Sequence, residues 1–299
     1  MDRVVEQTPS VSADIAMEGI YFGEGPRWHD GRLWFSDFYD HCVHAVTPDG
    51  RDEVMLRIDG LPSGLGWLPD RRLLVVSMLD HQVLRQDHDG TVAVHADVSA
   101  FSRHRSNDML VDAVGRAYVG NFGFDLDAHL RMDPPAWPQD PTTSLSKVEP
   151  DGSVSEAANG LVFPNGMTLT PDGRTLIVAE TLGFRLTSFE VGPDGTLSGG
   201  RVWADFTGTS IYPDGICLDA DGAIWVATCG PRCVRVREGG EIVAEVRTSQ
   251  NCYACVLGDP DRRTLYAMTA PGSDAAEAAA APMGLVEKAR VSIPGVGLP

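Results

Sequence analysis

The chain has 299 residues with 24 basic and 42 acidic side chains, a net charge of −18. Hydrophobic residues make up 43%, with 32 glycines and 20 prolines, which excludes a collagen, a coiled coil and a disordered chain. A pI near 4.7 without a basic stripe excludes a nucleic-acid partner and an anionic membrane surface. No apolar run reaches the roughly 18–20 residues of a membrane helix. Residues 1–13 read as an N-terminal tail. They contain no apolar h-region, so a cytoplasmic protein is expected.

From Gly25 onward a pattern recurs. A small residue or Gly is followed by a short strand, a tight turn, an apolar strand and a second apolar strand ending in a D-G type turn. The copies begin at Gly25, Gly64, Asp108, Gly166, Gly215 and Ala254, spaced 39, 44, 58, 49 and 39 residues apart. Each holds about four strand-length segments bounded by Gly, Pro, Asp or Asn. Runs such as 33–35, 73–76, 176–178 and 224–226 are continuously apolar, which suits strands buried on both faces. In Pro48-Asp49-Gly50 and Pro171-Asp172-Gly173 the proline presets φ and the glycine accepts a positive φ. Strand-rich units of this length are propeller blades. The expected fold is therefore all-β, a six-bladed β-propeller forming one domain over 1–299.

The sixth unit is one strand short, with 284–293 as its last strand. The stretch 14–22 could pair there and close the ring, which removes exposed sheet edges. Two inserted loops interrupt the rhythm. One, 122–143, is rich in Pro and Asp, contains Trp137 and reads as a lid over one face. The other, 271–283, carries an Ala-rich helical turn or mobile loop.

The six cysteines are too sparse for a disulfide scaffold. Cys229, Cys233, Cys252 and Cys255 allow a four-thiolate zinc site, but their strand-like surroundings favour free thiols, buried or half-buried. The eight histidines form no H-E-x-x-H motif. There is no G-x-S-x-G, P-loop or dinucleotide fingerprint. Arg103, His104 and Arg105 make a small basic cluster.

In a propeller the innermost strand of each blade lines a central channel. The residues before the six anchors are Glu24, Ser63, Asn107, Asn165, Asp214 and Tyr253, so these should meet at one rim. Two carboxylates and two amides are oxygen donors of the kind a hard cation takes. Without a cation the carboxylates would repel each other. Each is also a good turn residue on its own; the coincidence across blades carries the metal reading.

Gly-Glu-Gly-Pro at 23–26, Arg-x-Asn-Asp at 105–108, Pro-Asn-Gly at 164–166 and Pro-Asp-Gly at 213–215 resemble the gluconolactonase / senescence marker protein (regucalcin) / luciferin-regenerating-enzyme-like family. The match runs from about Gly23 to Ala270 with every motif in order. The resemblance implies a propeller with one divalent metal in a central metal-binding channel, held by Glu24, Asn165 and Asp214. Calcium leads, with zinc, manganese, magnesium or iron(II) as alternatives. Arg105 and Asn107 would face the substrate. Asp125 matches a position where sugar-binding members carry Glu. Two departures stand out: Met109-Leu110 follow Asn107-Asp108 in place of the usual Gly-Lys, and Asn-Phe-Gly-Phe-Asp at 121–125 is more aromatic than a sugar site.

The implied function is a metal-dependent lactonase. Asp214 holds the metal and serves as general base, and Arg105 and Asn107 orient a small lactone or ester. Two alternatives stay open: a phosphotriesterase or arylesterase on the same scaffold using Glu24, Asn107, Asn165 and Asp214, and a non-catalytic binding propeller with a structural ion.

Overall fold

The structure is a computed structural model that describes residues 8–132 and 138–298; Trp137 lies outside them. Six sheets form six blades, each a four-stranded antiparallel meander, with one further strand added to the fifth. Their inner strands are Gly23–His29, Pro62–Trp67, Ser106–Val111, Pro164–Leu169, Ile216–Leu218 and Asn251–Gly258. From each inner strand the chain meanders outward, so tight turns suffice within a blade.

The ring closes as the strand shortage suggested. Blade six contributes Asn251–Gly258, Thr264–Ala270 and Gly284–Arg290, and its outer strand is the N-terminal Asp14–Ile20. The register runs from Asp14 opposite Lys288 to Ile20 opposite Gly284. The chain before it is also ordered into a sheet, because Ser10–Ser12 runs parallel to Ile242–Arg247 on the edge of blade five. The N-terminal segment thus bridges the last two blades.

The core is divided among the blade interfaces. Leu65, Leu73 and Val75 meet Val43 and Leu56 between blades one and two. Ile20 and Met268 meet Leu33 and Phe35 between blades six and one. Equivalent clusters fill the other four gaps. Second strands such as Leu73–Ser77 are buried at every residue, matching their continuous apolar runs, while Trp34 is only half-buried.

The inserted segments supply the two helices. Leu126–Leu130 is capped by Asp125, whose carboxylate accepts from Ala128 N. Ala275–Ala280 is capped by Asp274, which accepts from Ala276 N and Glu277 N. At the opposite end of the ring the C-terminal stretch crosses the ends of two inner strands. Leu169 N donates to Leu298 O, and Val296 N to Leu218 O.

Candidate functional site

Each inner strand carries one column residue near its start. Glu24, Ser63, Asn107 and Asn165 are second in their strands, Tyr253 is third, and Asp214 stands two before Ile216. All six are buried. In five blades the ladder to the second strand slips at this point, between Glu24 and Arg27, Pro62 and Leu65, Ser106 and Met109, Pro164 and Met167, and Cys252 and Ala254. A bulge bends its strand and re-aims a side chain, and here it recurs at the column. Apart from glycines at 25, 64 and 166, nothing in the residue pattern marks these bulges, while in the unbulged fifth blade Gly215 follows Asp214.

Those glycines have a packing cause. A Cβ on Gly64 would lie 2.1 Å from Met109 N, one on Gly166 2.5 Å from Asp214 O, and one on Gly215 2.6 Å from Ala254 Cα. Neighbouring inner strands touch backbone to backbone at the column, and only glycine leaves room.

The column gathers Glu24, Asn107, Asn165 and Asp214, each only 5–7% exposed. Burial pushes the Asp214 carboxyl up to about 7, and the nearby Asp108 carboxylate adds to it, against a hydrogen bond from Cys229. Burial also holds Glu24 well above the usual carboxylate range, with Asp214 its largest like-charge neighbour. Glu24 Oε2 accepts from Gly25 N at 3.1 Å, and Asp214 Oδ2 accepts from the Cys229 thiol at 3.3 Å. Asp214 Oδ1 is buried with no donor among the described residues. Asn165 donates its amide nitrogen to Thr181 Oγ1 at 3.1 Å, and Thr181 in turn donates to Pro213 O. This hydrogen bond fixes the amide of Asn165. Ser63 Oγ lies 3.4 Å from Asn107 Oδ1. Two raised carboxyls, an orphaned carboxylate oxygen and two amides form a donor set that suits a hard divalent cation.

The other expected site residues sit at the rim. Arg105 pairs with Asp127 at 2.6 Å. Asp125 caps its helix, with His104 at 3.8 Å. The three basic residues at 103–105 are thus matched by acids of the insertion, since Arg103 pairs with Asp140 at 2.9 Å. Arg105, Asp125 and Asp127 line a rim cavity of about 360 Å³. A far larger cavity, about 1330 Å³, opens at the other end of the inner strands beside Trp67, Val111 and Leu169. It includes none of Glu24, Asn107, Asn165 and Asp214, so the column is the candidate site.

Three features of the site have no signature in the residue pattern. Cys229 and Thr181 reach the column from just beyond the second strands of blades five and four, where blades one to three carry Phe38, Met78 and Phe122. The mouth is an apolar collar: Phe22, Phe38, Leu61, Met78, Phe122, Phe163 and Tyr253 form one cluster, with Leu126 and Ala278 of the two short helices packed on it. The third is Arg27, whose guanidinium pairs with Asp108 at 2.7 Å and reaches Leu65 O and Met109 O below the column. All six cysteines are free. Cys229 turns to Asp214, while the Cys233 and Cys252 sulfurs lie 3.1 Å apart in the apolar gap between blades five and six.

Residues 22–271 match the family model described as the SMP-30/Gluconolactonase/LRE-like region. The chain belongs to this family. It is 25% identical over 256 residues to a pentonolactonase of Haloferax volcanii, covering 84% of this chain and 82% of that one. It is 26% identical over 263 residues to regucalcin of Xenopus laevis, covering 86% and 85%. Among solved structures, a calcium-binding regucalcin from Agrobacterium tumefaciens superposes with a TM-score of 0.80 at 23% identity, covering 97% of both chains. A gluconolactonase from Xanthomonas campestris gives 0.72 at 23% identity, covering 94% and 89%. These likenesses confirm the six-bladed propeller. For this SMP-30-family chain, no helix among the described residues is long and apolar enough to cross a membrane.

Proposed function

We propose that the protein is a metal-dependent lactonase acting on a small cyclic ester at the channel column. One observation carries this reading: two buried, raised carboxyls and two amides converge on one axis, and Asp214 Oδ1 has no donor among the described residues. Relatives named as lactonases support the same direction. Glu24, Asn165 and Asp214 would hold the ion, with Asn107 beside them; calcium fits the oxygen-rich donors first. When bound, a divalent cation supplies Lewis acidity toward a lactone carbonyl.

The chain's own groups do the rest. Asp214 is positioned to take the proton of an attacking water. Thr181 orients the Asn165 amide. Asn107 meets the substrate from the third blade. The collar and the two helices exclude water from the mouth, which strengthens polar interactions inside. Arg105 contributes to substrate binding if its pair with Asp127 opens, and Asp125 reaches hydroxyls only by leaving its cap.

The collar favours a second reading, hydrolysis of an aryl ester or phosphotriester, because flat apolar groups match Phe22, Phe122 and Phe163 better than hydroxyls do. A panel of aldonolactones, alkyl lactones, aryl esters and phosphotriesters distinguishes the two. Lactone turnover should stop on chelation and fall by roughly 100-fold or more in Asp214→Asn, the scale of a lost general base. Full lactone turnover in either preparation would sink the mechanism. Cation-dependent thermal stability with no turnover across the panel would make this a binding propeller.

A further inference from the structure

Outside the channel, blade one holds a convergence of ligand-type side chains in the run Asp40-His41-Cys42-Val43-His44. One ligand atom each of Asp40, Cys42 and His44 lies within 4.8 Å of the others. The Cys42 sulfur is 3.0 Å from Asp40 Oδ2 and 3.1 Å from His44 Nε2. Local geometry explains the meeting. Residues two apart on the strand Cys42–Val46 share a face, and the preceding turn brings Asp40 back over the same face.

The far side of the imidazole is held as metal-binding histidines are held. His44 Nδ1 lies 2.9 Å from both carboxylate oxygens of Asp52. An imidazole that donates from Nδ1 to a carboxylate presents a lone pair at Nε2. The Phe35 ring stacks on it at 4.8 Å and 14°. A carboxylate oxygen, a sulfur and an imidazole lone pair therefore face one another around the Cys42 proton, and Arg57 also donates to Asp40, Nη1 to its backbone oxygen at 2.8 Å and Nη2 to Oδ2 at 3.4 Å. The one Cys42 proton serves either Asp40 or His44 Nε2, and a cation in their midst would take a lone pair from all three in place of that proton and of the long Arg57 contact. Cys42 and His44 are buried, while Asp40 is half-buried and opens the cluster to solvent.

We propose that Asp40, Cys42 and His44 form a second metal site, on the outside of blade one, for a borderline-soft divalent cation such as Zn²⁺, with Asp52 as the orienting carboxylate. On binding, the Cys42 S–H bond breaks, its proton leaves to solvent and a sulfur–metal bond forms; water completes a four-coordinate shell. Zinc–ligand bonds near 2.0–2.3 Å ask the sulfur and Nε2 to separate to roughly 3.5 Å, a few tenths of an ångström beyond the present spacing. Sulfur and imidazole select against calcium, which prefers the all-oxygen column. The same three groups in sequence, thiol, imidazole and carboxylate, also resemble a nucleophile relay. Burial and the bond to Asp40 push the Cys42 thiol up, and its sulfur has no surface from which to attack a substrate.

The test uses the full chain with excess Ca²⁺ present, titrated with Co²⁺ as the spectroscopic probe. One Co²⁺ should bind with a sulfur-to-cobalt charge-transfer band in the near ultraviolet, displaced by Zn²⁺. Cys42→Ser and Asp40→Asn should each abolish the band, and Asp52→Asn should weaken binding roughly 10- to 100-fold. Cys229→Ser should leave it intact, which separates this site from the channel thiol. Absence of the band in the wild type, or its survival in Cys42→Ser, overturns the proposal. If Cys42→Ser folds poorly, Asp40→Asn gives the same readout from a half-buried position.

Discussion

Asp214 is the residue at which chemistry and stability oppose each other. Its carboxyl is raised to about 7, burial first, against an ordinary value near 4. A raised carboxyl means that the folded state binds the proton more tightly than the unfolded state. The stability it contributes is therefore present at low pH and is lost as pH climbs from about 4 to about 7. A cation reverses this sign, because it binds the ionised form and removes the repulsion from Glu24. The gain in melting temperature on adding Ca²⁺ should accordingly be small near pH 4.5 and grow to a plateau above pH 7. Thermal shift measured across that range with and without chelator checks it; a gain independent of pH would place the ion elsewhere. Thr181→Val should lower the ion's affinity roughly 10- to 100-fold, since an orienting hydrogen bond to a ligand is lost.

The column depends on how closely the inner strands approach one another, so its geometry belongs to the strands as much as to the ligands. Gly166→Ala would drive a methyl group to 2.5 Å from Asp214 O, and overpacking of this kind costs about 1–3 kcal/mol. The displaced backbone carries Asn165 and Asp214, so calorimetry should show weaker Ca²⁺ binding together with a lower melting temperature. Gly272→Ala, whose methyl would meet nothing within 4 Å, is the matched control and should change neither. Below the column, Arg27 joins the inner strands of the first three blades through Pro26 O, Leu65 O and Asp108. Removing one partner of a buried ion pair leaves the other charge unpaired, at about 3–5 kcal/mol. Arg27→Ala should lose that much in a denaturant titration, and Arg27→Ala with Asp108→Ala should lose less than the sum of the single changes.

At the scale of the whole ring, the sequence announced what repeats and concealed what does not. Glu24, Asn107, Asn165 and Asp214 were legible because each stands at the same place in its own repeat. Cys229 and Thr181 were not, because they reach the column from just beyond the second strands, a position that in blades one to three carries the apolar Phe38, Met78 and Phe122. Asp127, two residues beyond Asp125, is the acid that meets Arg105, a choice set by the phase of the short helix that no residue spacing in the loop reveals. The Arg27–Asp108 pair joins residues 81 apart, and the bulges arise from backbone crowding between blades. Closure was legible from a count, since the sixth unit lacks a strand and 14–22 is a free one. That strand leads directly into blade one and holds the ring's two ends together through its hydrogen-bonded ladder to Gly284–Arg290. Ile20 at its end is 1% exposed, in the core between blades six and one, so Ile20→Ala should cost about 2–5 kcal/mol. A chain starting at residue 21 would leave the edge of Gly284–Arg290 unpaired, an invitation to strand addition by another copy. It should elute as oligomers or aggregate on size-exclusion chromatography, and a synthetic peptide spanning 8–22, added during refolding, should restore the monomer-sized species. A truncated chain that stays monomeric with an unchanged melting temperature would show that blade six holds without its N-terminal strand.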